Sequence, residues 1–218
     1  MVNPCKLIEE NIEYSIGSFN GKEVIYDFEK ILIYLAIKGK LLFGNRFKIY
    51  KEDHDIILKL CHYLIKDEDN CAKNDIDINK GILLSGPVGC GKTSLMLLLK
   101  HIVPLQKPYI LIPCRNIVFG FNHIGYKTIE DYGCRQFFCF DDLGVEPMGR
   151  HYGKDCNVMG EILISRHELF IDHKIKTHAT TNLNAQELED LYGHRVRSRM
   201  RELFNLIHFD ENTNDKRK

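Results

Sequence analysis

Residues 81–96 read GILLSGPVGCGKTSLM. Within them Gly86-x4-Gly91-Lys92-Thr93 has the spacing of a phosphate-binding loop. An apolar run, Ile82 to Leu84, precedes the loop, and a helix-forming run, Leu95 to Leu99, follows it. This strand–loop–helix setting carries more weight than the motif letters. Backbone N–H groups of such a loop can surround phosphate oxygens, aided by the N-terminus of the next helix. The residues expected to hold a nucleoside triphosphate are therefore Gly86, Pro87, Val88, Gly89, Cys90, Gly91, Lys92, Thr93 and Ser94. Lys92 is placed to reach the β- and γ-phosphates, and Thr93 to offer its hydroxyl to Mg²⁺.

Downstream of this stretch the pattern alternates. Apolar or β-branched runs at 81–85, 108–114, 135–140 and 174–181, with a last one at 206–209, predict strands separated by helices. Such βαβ alternation predicts a parallel sheet covered on both faces. The helix after the loop is apolar nearly all round and stops before Pro104, so burial is expected. Ligands of these sheets bind at the C-terminal ends of the strands. The loop and the strands at 135–140 and 174–181 end at that edge.

FFCFDDLG, residues 137–144, carries the second signal. An apolar strand ends in Asp141 and Asp142. Two adjacent carboxylates at a strand end are costly without a cation. Mg²⁺ held by Asp141, with Thr93 nearby, answers that cost, and Asp142 can then orient or deprotonate a water. By itself Asp-Asp-Leu-Gly also makes an ordinary acidic turn. In HATTNL (178–183), Asn182 can bring an amide next to the γ-phosphate or the water, although Asn is common at turns. GHRVRSRMRELF (193–204) places Val196, Met200, Leu203 and Phe204 on one helical face. Arg195 and Arg199 flank that stripe on one side, Arg197 and Arg201 on the other. They suit a neighbouring subunit's phosphate or a nucleic-acid backbone; a solvated helix face is the plain alternative. In 157–170, Arg166 falls on the same face as Met159, Ile162, Leu163 and Phe170. A charge there needs a partner. A loop carboxylate is expected, with phosphate or DNA across an interface as the alternative.

Composition sets bounds. Among 218 residues Lys+Arg and Asp+Glu both number 30, so attraction to nucleic acid must come from a local patch. The apolar run ILIYLAI (31–37) is too short to span a bilayer, and MVNPCKLIEE lacks a signal-peptide layout. A cytoplasmic protein without membrane contact is expected. The eight Cys include no Cys-x2-Cys pair, which argues against a zinc site or a disulfide framework. Cys90 reads as a filler residue of the loop. Residues 1–70 form a separate small unit in this reading: helices at 27–43 and 52–66, the latter with Ile57, Leu60, Cys61 and Leu64 on one face, a short extended piece at 45–50, and a polar connection at 66–80.

The order and spacing of GPVGCGKTS, FDDLGVEP, ATTNL and YGHRVRSRM resemble the DnaC/IstB-type AAA+ ATPases, which load replicative helicases or assist transposases. The resemblance runs from about residue 45 to 210. It implies an AAA+ core of five parallel strands in the order 5-1-4-3-2, a small N-terminal helical region and no sizeable C-terminal lid. The core would span 45–210, preceded by a partner-binding region, 1–44, and followed by a polar tail, 211–218. By position Lys92 and Thr93 match the first Walker motif and Asp141 and Asp142 the second. Asn182 matches sensor 1, and Arg199 the arginine finger that reaches a neighbouring subunit. The resemblance implies ATP and Mg²⁺ as cofactors, ATP-dependent homo-oligomers, single-stranded DNA, and a replicative helicase or a transposase as partner. Many AAA+ proteins carry Glu where this chain has Asp142, so slow hydrolysis is expected. Phe47–Tyr50 is the candidate for adenine contact. A small-molecule P-loop kinase and a non-hydrolysing ATP-dependent adaptor are the remaining alternatives.

Overall fold

A computed structural model describes residues 3–217. The chain divides into two units, residues up to 75 together with 94–108, and 76–93 together with 109 onward.

The first unit opens on two hairpins, β1 (Lys6–Glu9) with β2 (Ile12–Ser15), and β3 (Gly17–Phe19) with β4 (Val24–Tyr26). Helix α1 (Phe28–Phe43) follows, started by the Asp27 side chain, which accepts from the Lys30 N–H. Glu9 joins hairpin to helix by accepting from the Tyr34 hydroxyl (2.9 Å) and the Lys38 ammonium (2.8 Å). Residues 45–50, expected to be extended, form no strand; Phe47 instead lies against Gly39, where a Cβ would meet its ring. Helix α2 (His54–Ile65) buries Ile57, Leu60 and Cys61 as its spacing predicts, with Leu64 only partly covered. A short helix, α3 (Glu68–Lys73), interrupts the expected connection, capped by Asp67. Its segment EDNCAK has no apolar period to announce it.

In the second unit β5 (Gly81–Ser85) runs into the loop and then into α4 (Lys92–Leu99), whose later residues belong to the first unit. There follow β6 (Ile110–Pro113), α5 (Cys114–Ile124), α6 (Lys127–Tyr132), β7 (Phe138–Asp141), the hairpin β8 (Gly149–His151) and β9 (Lys154–Cys156), α7 (Val158–His173), β10 (Thr177–Thr181), α8 (Ala185–Leu203) and β11 (Phe204–His208). Five strands form one parallel sheet in the order β11-β5-β10-β7-β6, which is 5-1-4-3-2 in core numbering. The central strands β5, β7 and β10 are buried along their whole length. Strand β6 lies at the edge and leaves Ile110 exposed, unlike the fully buried strand its apolar run suggests. A cluster that includes Phe140, Leu163, Ala179, Leu188 and Met200 fills the space between sheet and helices. Among the described residues no helix is long and apolar enough to cross a membrane.

Arg166 departs from expectation. It is fully buried on α7, and no carboxylate meets it among the described residues. Its guanidinium donates to Thr177 Oγ1 (2.7 Å), to the carbonyls of Gln136 and Lys176 (3.0 Å each) and to that of Cys134, and it lies 5.5 Å from the Phe138 ring centre. Desolvation lowers its pKa to about 10, which leaves it charged at neutral pH. It thus ties together the segments leading into β7 and β10. The strands themselves start at Phe138 and Thr177, later than the expected 135–140 and 174–181, and the carbonyls of Gln136 and Lys176 just ahead of them accept from Arg166.

Candidate nucleotide site

The loop after β5 depends on glycine. Gly89 and Gly91 have φ of 83° and 102°, a region that side chains with a Cβ rarely adopt. The Lys92 ammonium turns back along the loop and donates to the carbonyls of Gly86 (2.7 Å) and Pro87 (2.8 Å) and to Asn182 Oδ1 (2.6 Å). Burial lowers its pKa, against the opposing pull of Cys90, Asp142 and Asp141. Cys90 is itself buried, with Sγ 3.6 Å from the Lys92 nitrogen. Val88 is exposed at the tip, and Ser94 is half-buried in the first turn of α4.

Asp141 ends β7 and is 5% exposed. Its carboxylate accepts from the Thr93 hydroxyl at 2.9 and 3.1 Å and from the Thr180 hydroxyl at 2.7 Å. Burial pushes its pKa up; the two hydroxyls pull it down. A carboxylate and a hydroxyl this close form a hard oxygen donor pair. They fit Mg²⁺, which takes one or two protein oxygens and completes its shell with phosphate and water. Asp142, next along, has a left-handed backbone (φ 54°), a conformation Asp tolerates better than most residues. Its N–H donates to Thr180 Oγ1 (2.9 Å), and its Oδ1 stands 3.5 Å from Asn182 Nδ2. Asn182 therefore sits between the loop lysine and the second aspartate.

Two residues that the sequence reading passed over complete this edge. Thr180 donates to the Asp141 carboxylate and accepts from the Asp142 N–H, so one hydroxyl fixes the first carboxylate and the backbone of the second aspartate. Glu146 accepts from the Gly144 N–H (2.8 Å) and from the Tyr192 hydroxyl on α8, and burial raises its pKa. It holds the loop after β7 against α8. Thr180 lay inside a quoted motif, but a threonine in a strand reads as ordinary β propensity.

Helix α8 starts on a reciprocal cap, in which Asn184 accepts from the Glu187 N–H and Glu187 from the Asn184 N–H. It kinks at Gly193 (φ 79°). Beyond the kink Val196, Met200 and Leu203 are buried as expected, while Phe204 already begins β11. The four arginines part company. Arg195 and Arg201 are exposed; Arg197 and Arg199 are half-buried. Arg199 donates to the Arg195 carbonyl (3.2 Å), and its Nε has no hydrogen-bond partner among the described residues. Arg197 lines a cavity of about 380 Å³ together with Gly86, Pro87, Asn182, Glu187 and Glu211, and its Nε is likewise unpartnered among the described residues. Phe47 to Tyr50 belong to the other unit, where Phe47 lies 5.3 Å from the Phe43 ring.

A parallel sheet in this order, with a phosphate loop after its first core strand and acidic and amide side chains at the ends of the neighbouring strands, defines an AAA+ type of P-loop NTPase fold. Among solved structures, the chain is similar to DnaI, with a TM-score of 0.54 and 18% identity over 75% of this chain and 88% of that one. It is similar to AMPPCP-bound DnaA from Aquifex aeolicus, with a TM-score of 0.52 and 14% identity over 77% of this chain and 50% of that one. The DnaC helicase loader aligns with a TM-score of 0.48 and 19% identity over 61% of this chain and 79% of that one. No protein-family model matches the sequence, and no curated protein matches it.

Proposed function

We propose that the chain is an AAA+ ATPase of DNA replication that loads or remodels a replicative helicase. The nucleotide part of this reading is carried by one observation: Lys92, Thr93, Asp141, Asp142 and Asn182 converge at the C-terminal ends of three adjacent strands, within hydrogen-bond reach of one another. The loop N–H groups and Lys92 receive the β- and γ-phosphates. Thr93 and Asp141 would hold Mg²⁺, which when bound neutralises charge on the phosphate oxygens. Asp142 orients the attacking water and takes its proton. Asn182 keeps Lys92 and Asp142 in register across the γ-phosphate position. Aspartate at 142 is one methylene shorter than glutamate, so hydrolysis is slow and ATP acts as a timed assembly switch. Arg199 serves a neighbouring subunit's nucleotide.

The replication part rests on the motif order shared with helicase loaders and on a fold in common with DnaI and DnaA. Equilibrium binding of an ATP analogue, steady-state phosphate release and capture of a partner test the whole. Lys92→Ala is expected to abolish nucleotide binding. Capture of a replicative helicase in the presence of ATP supports the loader; capture of a transposase instead would move the same ATPase to a mobile element.

A further inference from the structure

Beyond β11 the chain turns back onto the phosphate loop. The Phe209 N–H donates to the Ser85 carbonyl (2.9 Å) and carries the β11–β5 pairing one residue further. A turn follows, closed by Thr213 N–H on the Asp210 carbonyl (3.0 Å) and by Asn212 N–H on Asp210 Oδ1 (2.8 Å). The reversal brings Asp215 and Lys216 onto the loop. Lys216 makes two bonds there: its N–H donates to the Gly89 carbonyl (3.1 Å) and its ammonium to the Cys90 carbonyl (2.9 Å). The ammonium also lies 5.3 Å from the centre of the buried Phe209 ring. The approach is close. A Cβ on Gly89 would stand 2.1 Å from Asp215 Oδ1, and one on Gly86 would stand 2.6 Å from Phe209 Cβ.

Peptide planarity gives these two bonds a consequence. The carbonyl of Gly89 and the N–H of Cys90 belong to one trans plane and point in opposite directions; the same holds for the carbonyl of Cys90 and the N–H of Gly91. Anchoring both carbonyls on Lys216 turns both N–H groups to the other side of the loop. The Cys90 N–H rests there on the Pro87 carbonyl at 3.4 Å, a long bond that a phosphate oxygen can replace. A loop with free carbonyls would have to order these peptides when the anion arrives, and affinity would fall by that ordering cost.

We infer that Lys216 is a positioning residue for the nucleotide phosphates, and that residues 209–217 form a strap that holds the phosphate loop ready for them. The inference rests on reading residues 86–93 as a nucleotide site. Its action is on phosphate and not on the base, so ATP and inorganic tripolyphosphate should feel it alike.

The experiment titrates both ligands into the full chain, wild type against Lys216→Met and Lys216→Arg, and measures the melting temperature of each protein without ligand. Methionine keeps the aliphatic stem over Phe209 and loses the ammonium, with its bond to the Cys90 carbonyl and its contact with the Phe209 ring. Lys216→Met is expected to weaken ATP and tripolyphosphate by the same factor, about tenfold. Lys216→Arg should restore most of the affinity, and the ligand-free melting temperatures should agree to about 2 °C. Unchanged affinity in Lys216→Met, with wild type binding, overturns the strap and leaves the nucleotide site standing. A loss that arginine does not repair and that tracks a fall in melting temperature reduces Lys216 to packing and also overturns the inference. If wild type binds neither ligand, the nucleotide reading itself fails.

Discussion

His178 lies in the middle of β10, wholly enclosed, with Nδ1 accepting from the Ile82 N–H of β5 at 3.2 Å and the ring 4.8 Å from that of Tyr109. Burial, and then the nearby cations Lys176 and Arg166, lower its pKa from 6.5 to about 3. Between those values the unfolded chain binds a proton that the native protein refuses. Stability is therefore intact above pH 6.5 and falls as the pH drops through the window, by roughly 1.4 kcal/mol per pH unit from this group. His178→Asn offers an acceptor near the place of Nδ1 and cannot titrate. Urea unfolding should show wild type losing about 2 kcal/mol more than the variant between pH 7 and 5; an equal loss would mean the imidazole does take up a proton in the native state. Just past the C-terminal end of β7, Asp142→Asn keeps the left-handed backbone and the bond to Thr180 and removes the proton acceptor. Phosphate release should fall about 100-fold or more, with ATP affinity within about threefold of wild type because the phosphates are held elsewhere. Turnover at the wild-type rate would remove Asp142 as the base.

Elements were legible where periodicity and motif agreed. Gly86 to Thr93, Asp141, Asp142 and Asn182 each stand at the end of a strand that an apolar run announces, and the structure brings them together. Hairpins β1–β2, β3–β4 and β8–β9 were not legible. Their strands are three or four residues long and almost wholly exposed or half-buried, with alternation too brief to separate from loop. Arg166 was legible as a charge on an apolar face but not in its partners, because backbone carbonyls leave no letter in a sequence. That difference carries a prediction about β7 and β10. Arg166→Met keeps much of the volume and leaves the carbonyls of Cys134, Gln136 and Lys176 buried without their donor. The cost should be about 3 kcal/mol, or roughly 10 °C in melting temperature. ATP affinity measured at low temperature should hold within a few fold, since the clamp grips the strand ends opposite the site. A variant as stable as wild type would show that those carbonyls find other donors.

For the molecule as a whole, zero net charge means that the proposed DNA binding must draw on a local basic patch, for which the arginines of α8 are the candidates. Their burial assigns them different tasks. Arg197 faces the cavity beside Asn182 and the start of the phosphate loop, so it is poorly placed for a DNA backbone. Arg195 and Arg201 are exposed and remain as candidate phosphate contacts on DNA; Arg201 is only loosely held by Glu189, at 4.0 Å. Replacing either by alanine should weaken single-stranded DNA binding and reduce the salt slope by about 0.7, while Arg197→Ala should change nucleotide affinity and leave that slope alone. Arg199 is the test of assembly. Its proposed target lies on another copy of the chain, so an isolated subunit should not miss it. Arg199→Ala should bind an ATP analogue as wild type does. Its phosphate release should be unaltered at concentrations where the protein is a monomer. At concentrations where wild type assembles with ATP and single-stranded DNA, as read from mass, the variant should lose about 100-fold or more of the stimulated rate. Mixing supplies the decisive arm. Lys92→Ala subunits bind no nucleotide but still carry the finger, and Arg199→Ala subunits bind nucleotide but lack it. Activity that returns when the two inactive proteins are combined can arise only at a junction between unlike subunits. Activity that stays absent, with mixed assemblies present by mass, would place the work of Arg199 within its own chain.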